Sequence, residues 1–286
     1  MMKLNRNLIG VMQGRLLPKY LGRYQAHPIG YWQDEFYLAA ELKLDCIEFI
    51  LDYNDALLNP LLLSKGIAEI IELTEKTKVK VKTVCADYFM EAPLHHNNDE
   101  ISFNSKIILE KLLRNGQQLG LSDIVIPCVD QSSLVDNIMA KRFVDKLTPL
   151  MESAEKYCIN IALEADLAPE PFAELLSRFN STRVTVNYDT GNSASLGFDP
   201  IEEFACYGSK ITDVHIKDRV LGGGSVILGT GDTQFKKFLD AIDKINFQGP
   251  IILQAYRDDQ GLEIFKRQLT WVKEKFDYLL NINDEK

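Results

Sequence analysis

Four residues able to hold a cation or carry a proton stand at matching places along the chain: Glu164 in "NIALE", Asp189 in "VTVNYD", His215 in "ITDVHIK" and Gln254 in "PIILQ". Each lies at or near the end of a short apolar run, and the intervals between them are 25, 26 and 39 residues. Two carboxylates, an imidazole and an amide oxygen make a mixed shell for one divalent metal ion. Mn²⁺, Co²⁺, Zn²⁺ or Mg²⁺ suits such a shell better than a thiolate-seeking metal. A single strand-end carboxylate is more often a helix cap or a loop hydrogen-bonder, and a single histidine more often packed or solvated. Buried strands seldom finish on charged groups unless these are paired, solvated or metal-bound. Four in register on consecutive units favour a metal site.

The runs that carry them belong to a series of eight. Strand-like segments lie at 8–13, 46–51, 81–86, 123–128, 160–164, 184–189, 211–217 and 250–254. Amphipathic helical patterns fall between them, among them 35–44, 61–78, 104–120, 143–158, 233–245 and 263–280. Such alternation predicts a parallel sheet covered by helices. Eight units in 286 residues, with no Gly-, Ser- or Pro-rich linker, predict a single α/β domain over 1–286. The expected architecture is a (β/α)8 TIM barrel, with an open doubly wound sheet as the alternative. Residues 281–286, "NINDEK", read as a frayed polar tail, and the aromatic-rich stretch 14–33 as a lid or wall over a site.

Strand C-termini in such a barrel converge on one mouth, which adds Gln13, Glu48, Asp87 and Asp130 from the first four strands. Gln13, Glu48 and Asp87 are candidate substrate contacts. Four cations stand nearby: Arg15, Lys217, Arg219 and Arg257. Each can bind a hydroxyl, a carboxylate or a phosphate, or pair with an acid such as Asp218 or Asp258. The stretch 222–232, "GGGSVILGTGD", lacks the GK[ST] of a P-loop and the setting of a dinucleotide fingerprint. It reads as a mobile loop, with Asp232 or Thr233 capping the helix that follows. "HHNND" (95–99) reads as a solvated turn, and Trp32 and Phe49 as core aromatics before a stacking platform for a sugar ring.

A formal charge of −9 repels polyphosphate, so no nucleic-acid partner is expected. No run approaches the roughly 18 apolar residues of a membrane span, and the apolar stretch near the start is too short for a secretory signal. The five cysteines are widely spaced without a CxxC and read as small buried hydrophobes in a reducing compartment, which makes a cytoplasmic location the expectation.

The segments "VTVNYDTGNSASLG" (184–197), "DVHIKDR" (213–219), "LGTGDTQFKKFLDAI" (228–242) and "GPIILQAYRD" (249–258) resemble the later strands of the xylose isomerase-like barrels. "GVMQGRL" and "CIEFILD" resemble the first two strands of the sugar phosphate isomerase/epimerase members of that superfamily. The resemblance implies a metal held by Glu164, Asp189, His215 and position 254, where the family carries glutamate and this chain carries Gln254. It also implies a polar contact at Asn192, where the family often has histidine. The formal ligand charge falls from −3 to −2, and Gln254 cannot act as a base at neutral pH.

What the resemblance implies is a metal-dependent sugar isomerase or epimerase. It acts on a small ketose, polyol or sugar phosphate by moving a proton beside a metal-polarised carbonyl. Glu164 carries the proton, Lys217 and Arg219 assist, and Gln13, Arg15, Glu48, Asp87, Asn192 and Arg257 contact the carbohydrate. With one base, aldose–ketose isomerisation or an inosose-type dehydration is easier to support than two-base epimerisation. A barrel that only binds sugar is the alternative that Gln254 favours. An endonuclease IV-type nuclease, which uses three zinc ions and several histidines, fits worst, because the chain has four histidines and an acidic balance. Relatives of this kind are often dimers or tetramers, so a homo-oligomer is also among the expectations.

Overall fold

The computed structural model describes residues 7–259 and 261–280. Eight parallel strands close into one barrel: β1 (Ile9–Met12), β2 (Cys46–Ile50), β3 (Lys80–Cys85), β4 (Asp123–Cys128), β5 (Asn160–Ala165), β6 (Val184–Asp189), β7 (Ile211–Ile216) and β8 (Ile251–Leu253). Pairing of β1 with both β2 and β8 completes the ring, so the expected (β/α)8 barrel is the fold and the open sheet is not. The proposed tail at 281–286 lies outside the described residues.

Alternation along each strand divides the apolar residues into two cores. Ile161 and Leu163 of β5, Val186 and Tyr188 of β6, and Val214 and Ile216 of β7 join a large cluster with helix residues such as Phe172, Phe204 and Phe238. Each such side chain, fully buried, contributes ~1.5–3 kcal/mol. The opposite parity supplies a small separate cluster inside the ring, made of Met12, Cys46, Ile50, Cys85, Val125, Ala162 and Ile252. The same parity also carries Thr83, Asp123, Thr185, Asn187, Asp213 and His215, all buried. The barrel interior is therefore largely polar.

Prolines set several helix boundaries. The pattern at 143–158 is split at a short 3-10 turn, Thr148–Leu150, because Pro149 lacks an N–H, so the helices are Asn137–Leu147 and Met151–Tyr157. Pro169 and Pro200 open the helices Pro169–Ser177 and Pro200–Tyr207 that follow β5 and β6.

Several local expectations need correction. The helix Phe235–Lys244 starts after Gln234 with no side-chain cap. Asp232 instead accepts from the Leu221 N–H at 2.7 Å, and the Thr233 N–H donates to Asp218. The supposedly mobile 222–232 segment contains the second strand of a small antiparallel pair, Asp218–Arg219 with Ser225–Val226. His95 is buried, edge-on to Phe143 at 5.7 Å, because the turn folds under the helix Asn137–Leu147. Cys158 is exposed and Cys206 half-buried, whereas the other three cysteines are buried. Trp32 and Phe49 pack edge to face at 5.7 Å in the core, as expected. Among the described residues no helix is long and apolar enough to cross a membrane.

Candidate metal centre

Parallel pairing sets Asp189 directly beside His215, and Glu164 projects from the neighbouring β5. One ligand atom from each of Glu164, Asp189 and His215 lies within 4.8 Å of the other two. All three side chains are buried. They meet around one point rather than splaying apart. Burial, then the charge of Asp189, pushes the Glu164 carboxyl up to about 7, with His215 and Lys217 pulling the other way.

Asp189 divides its two oxygens between two tasks. Oδ1 accepts from the Gly191 and Asn192 N–H groups, both at 2.8 Å, and caps the short helix Thr190–Leu196. Oδ2 turns to the cluster, 3.9 Å from His215 Nδ1 and 3.3 Å from Lys217 Nζ. Cap and candidate ligand are the same side chain. Gly191 allows this arrangement, because a Cβ there would stand 2.7 Å from Lys217 Cγ.

His215 is held from behind. Its Nε2 lies 2.7 Å from Glu48 Oε1 and 3.6 Å from Asp213 Oδ2, and Asp213 in turn accepts from Asn187 Nδ2 at 2.9 Å. Burial raises the Glu48 carboxyl to about 8 and holds Asp213 well above the usual carboxylate range. With the Glu48 carboxyl against Nε2, Nδ1 is the ring nitrogen that faces Asp189. Neither buried ring nitrogen makes a hydrogen bond of good geometry. Glu48, with no exposed surface, lies behind the imidazole and does not line a cavity.

Gln254 follows β8, its N–H donating to Ile216 O at 3.1 Å. Its amide nitrogen donates to Gln25 Oε1 at 3.0 Å, while its buried oxygen has no partner. The imidazole nitrogen and the amide oxygen are electron-rich groups without a donor, two partly engaged carboxylates stand beside them, and a cation supplies what the set lacks. These residues fit a divalent ion with mixed oxygen and nitrogen ligation.

A cavity of 320 Å³ opens beside them, lined by Glu164, Gln254, Asn192, Lys217, Arg219, Asp87, Gln25, Asp130 and Asp166, among others. Asn192 donates to Glu164 Oε1 and accepts from Arg219 Nη1 at 2.9 Å and from Lys217 Nζ at 3.4 Å. Arg219 also donates to Gly223 O. A larger groove of 870 Å³ lies on the outer face between Phe235–Lys244 and Leu262–Lys275, away from these groups.

The remaining sequence candidates are placed as supports. Gln13 is fully buried, its oxygen accepting from the Ile50 N–H and lying 3.1 Å from His27 Nδ1. Arg15 donates to Ala255 O and to Gln25, and Arg257 donates to three backbone carbonyls while lying over the Tyr24 ring. These contacts clasp the 14–33 stretch to the segment after β8 and make it a wall of the cavity.

Sequence reasoning passed over Gln25, Asp213 and Asn187, and read Asp218 only as an acid for a nearby cation. Asp213 and Asn187 stand two residues before His215 and Asp189, so strand alternation alone puts them on the same inner face. Asp218 is buried and accepts from the N–H groups of Gly229, Gly231 and Thr233, organising the loop rather than pairing with a cation.

A family pattern described as "xylose isomerase-like TIM barrel" matches residues 36–275. The chain belongs to the xylose isomerase-like TIM barrel family. No curated protein matches it. Solved structures of similar fold include a D-psicose 3-epimerase (14% identity, TM-score 0.75, covering 96% of this chain and 99% of that one). Another is the 3-keto-D-glucoside 4-epimerase of E. coli (16%, TM-score 0.73, 94% and 100%). A third is an IolI protein with a bound zinc atom (19%, TM-score 0.71, 96% and 98%). At these identities the likeness shows the barrel fold alone.

Proposed function

We propose that this chain is a divalent-metal-dependent isomerase or epimerase of small, uncharged sugars. The observation that carries the reading is the convergence of Glu164, Asp189 and His215 on one buried point, beside a polar cavity that also admits Gln254. That solved neighbours include sugar epimerases and a zinc-bound protein supports it.

A dication held by these four residues would polarise a substrate carbonyl and ease the loss of a proton from the adjacent carbon. Glu164 is the group placed to take that proton, since Asp189 is committed to its helix and Gln254 has no basic form. Asp87 lines the same cavity, but both its oxygens already accept, from Cys85 and from Gln25. One base therefore returns the proton as well as removing it, which favours isomerisation, or transfer on one face, over two-base inversion. Asn192 orients Glu164, and Lys217 and Arg219 hold Asn192 in place and present positive charge to a hydroxyl or a developing oxyanion.

An uncharged substrate is favoured by the lining itself. Four carboxylates, from Asp87, Asp130, Glu164 and Asp166, face two cations, and Arg219 is already bonded to Asn192 and Gly223. No Arg or Lys cradle is left for a phosphate.

The test is metal analysis followed by a panel of free ketoses, inososes and their phosphate esters with added Mn²⁺ in D₂O. Turnover of a free sugar with deuterium entering beside the carbonyl, lost in Glu164→Gln, is expected. Turnover confined to phosphate esters would reject the uncharged-sugar reading. Tight sugar binding without deuterium uptake would favour a binding barrel, the alternative that Gln254 supports.

A further inference from the structure

Gln254 can turn either end of its amide inward: an oxygen, which ligates a cation, or a nitrogen, which repels one. The choice is made outside the residue. Arg15 only donates, and its Nη2 gives a hydrogen bond to Gln25 Oε1 at 3.2 Å. Asp87 Oδ2 accepts from Gln25 Nε2 at 3.1 Å. The Gln25 amide thus has its oxygen on the arginine side and its nitrogen on the aspartate side. Reversing it would set donor against donor and acceptor against acceptor.

The same Gln25 oxygen faces Gln254 at 3.0 Å, so Gln254 must offer it a donor. The amide nitrogen is spent there, and the Gln254 oxygen is left buried without a partner. Resting on the cation reading above, we propose that Gln25 is a positioning residue that turns the Gln254 oxygen toward the ion. Through it, Arg15 and Asp87 make position 254 selective for an amide over a carboxylate. A glutamate at 254 would bring a carboxylate oxygen against Gln25 Oε1 with no proton between them. The neutral fourth ligand is thus matched to the polar wall built by the first βα loop.

A double-mutant cycle of Gln25→Leu and Gln254→Glu on the full chain tests this in two stages. In the metal-free protein, urea unfolding should show Gln254→Glu destabilised, with Gln25→Leu recovering at least tenfold in the folding constant in that background. Additive effects overturn the amide order. In Mn²⁺ titrations followed by the resonance signal of the free ion, Gln25→Leu should weaken binding about tenfold beside Gln254 and strengthen it beside Glu at 254. Equal changes in both backgrounds overturn the positioning role. A wild type that binds no Mn²⁺, Co²⁺ or Zn²⁺ overturns the cation reading and the ligand role with it, while the metal-free cycle still decides the amide order. Gln25→Met serves the same purpose if the leucine variant fails to fold.

Discussion

Replacing Asp189 by asparagine separates the two tasks of that side chain. Asparagine keeps an oxygen for the Gly191 and Asn192 N–H groups and is as good an N-cap as aspartate, but it removes one of the two negative charges of the candidate ligand set. Alanine removes the cap oxygen as well as that charge. Loss of the cap costs about 1 kcal/mol, which in a chain of this size lowers Tm by roughly 2–4 °C. Melted in chelator, Asp189→Ala should therefore fall below Asp189→Asn by about that amount. Added Mn²⁺ at a hundredfold excess over its Kd stabilises wild type by about 2.7 kcal/mol. A tenfold loss of affinity in Asp189→Asn cuts the gain at the same concentration to about 1.4 kcal/mol. Scanning calorimetry with and without metal reads all of these differences. If Asp189→Asn gains as much from Mn²⁺ as wild type, Oδ2 is not a ligand and the assignment of the centre is refuted.

Three further outcomes follow from the geometry. Glu48→Ala should weaken metal binding by about 10- to 100-fold through loss of the support behind His215, with Glu48→Gln milder; calorimetric titration checks the order. Glu35, fully buried under Gly14 and Leu16, has its carboxyl raised by burial to about 7. The folded state then binds more protons than the unfolded between about pH 4.5 and 7, so this group's contribution falls as pH rises through that window. Between pH 5 and 8 wild type should lose roughly 2–3 kcal/mol more than Glu35→Gln in urea unfolding. Asp218→Ala leaves three N–H groups unpaired and should speed amide exchange at 229–233 well above the rest of the mouth, as hydrogen-exchange mass spectrometry would show.

The barrel was legible because its strands are written as eight separate apolar runs, and the candidate ligands because they sit at the ends of the last four. Helix boundaries were harder, since a turn with Pro149 inside an otherwise periodic stretch breaks it without disturbing its hydrophobic pattern. Supports were hardest. Asp213 could have been found from the two-residue step to His215, whereas Gln25 could not, because its partners Arg15, Asp87 and Gln254 are joined only by the closed ring. Glu48 and Arg257 carry the right chemistry for substrate contact, yet burial behind His215 and capture by backbone carbonyls turn them to scaffolding. Residue type does not reveal which neighbours have already claimed it.

The contact between Gln25 and Gln254 joins positions 229 apart in the chain and lies across the β1–β8 seam. Glu164, Asp189 and His215 need only three adjacent strands to gather, so a half-assembled barrel could hold a loosely bound ion. Gln254 joins them when β8 docks on β7, but the Gln25 contact that orients its amide forms only when β8 also meets β1. On the proposed cation reading, ion affinity is accordingly a gauge of ring closure, and any lesion that springs the seam, however distant from the carboxylates, will be felt first as a leaking metal.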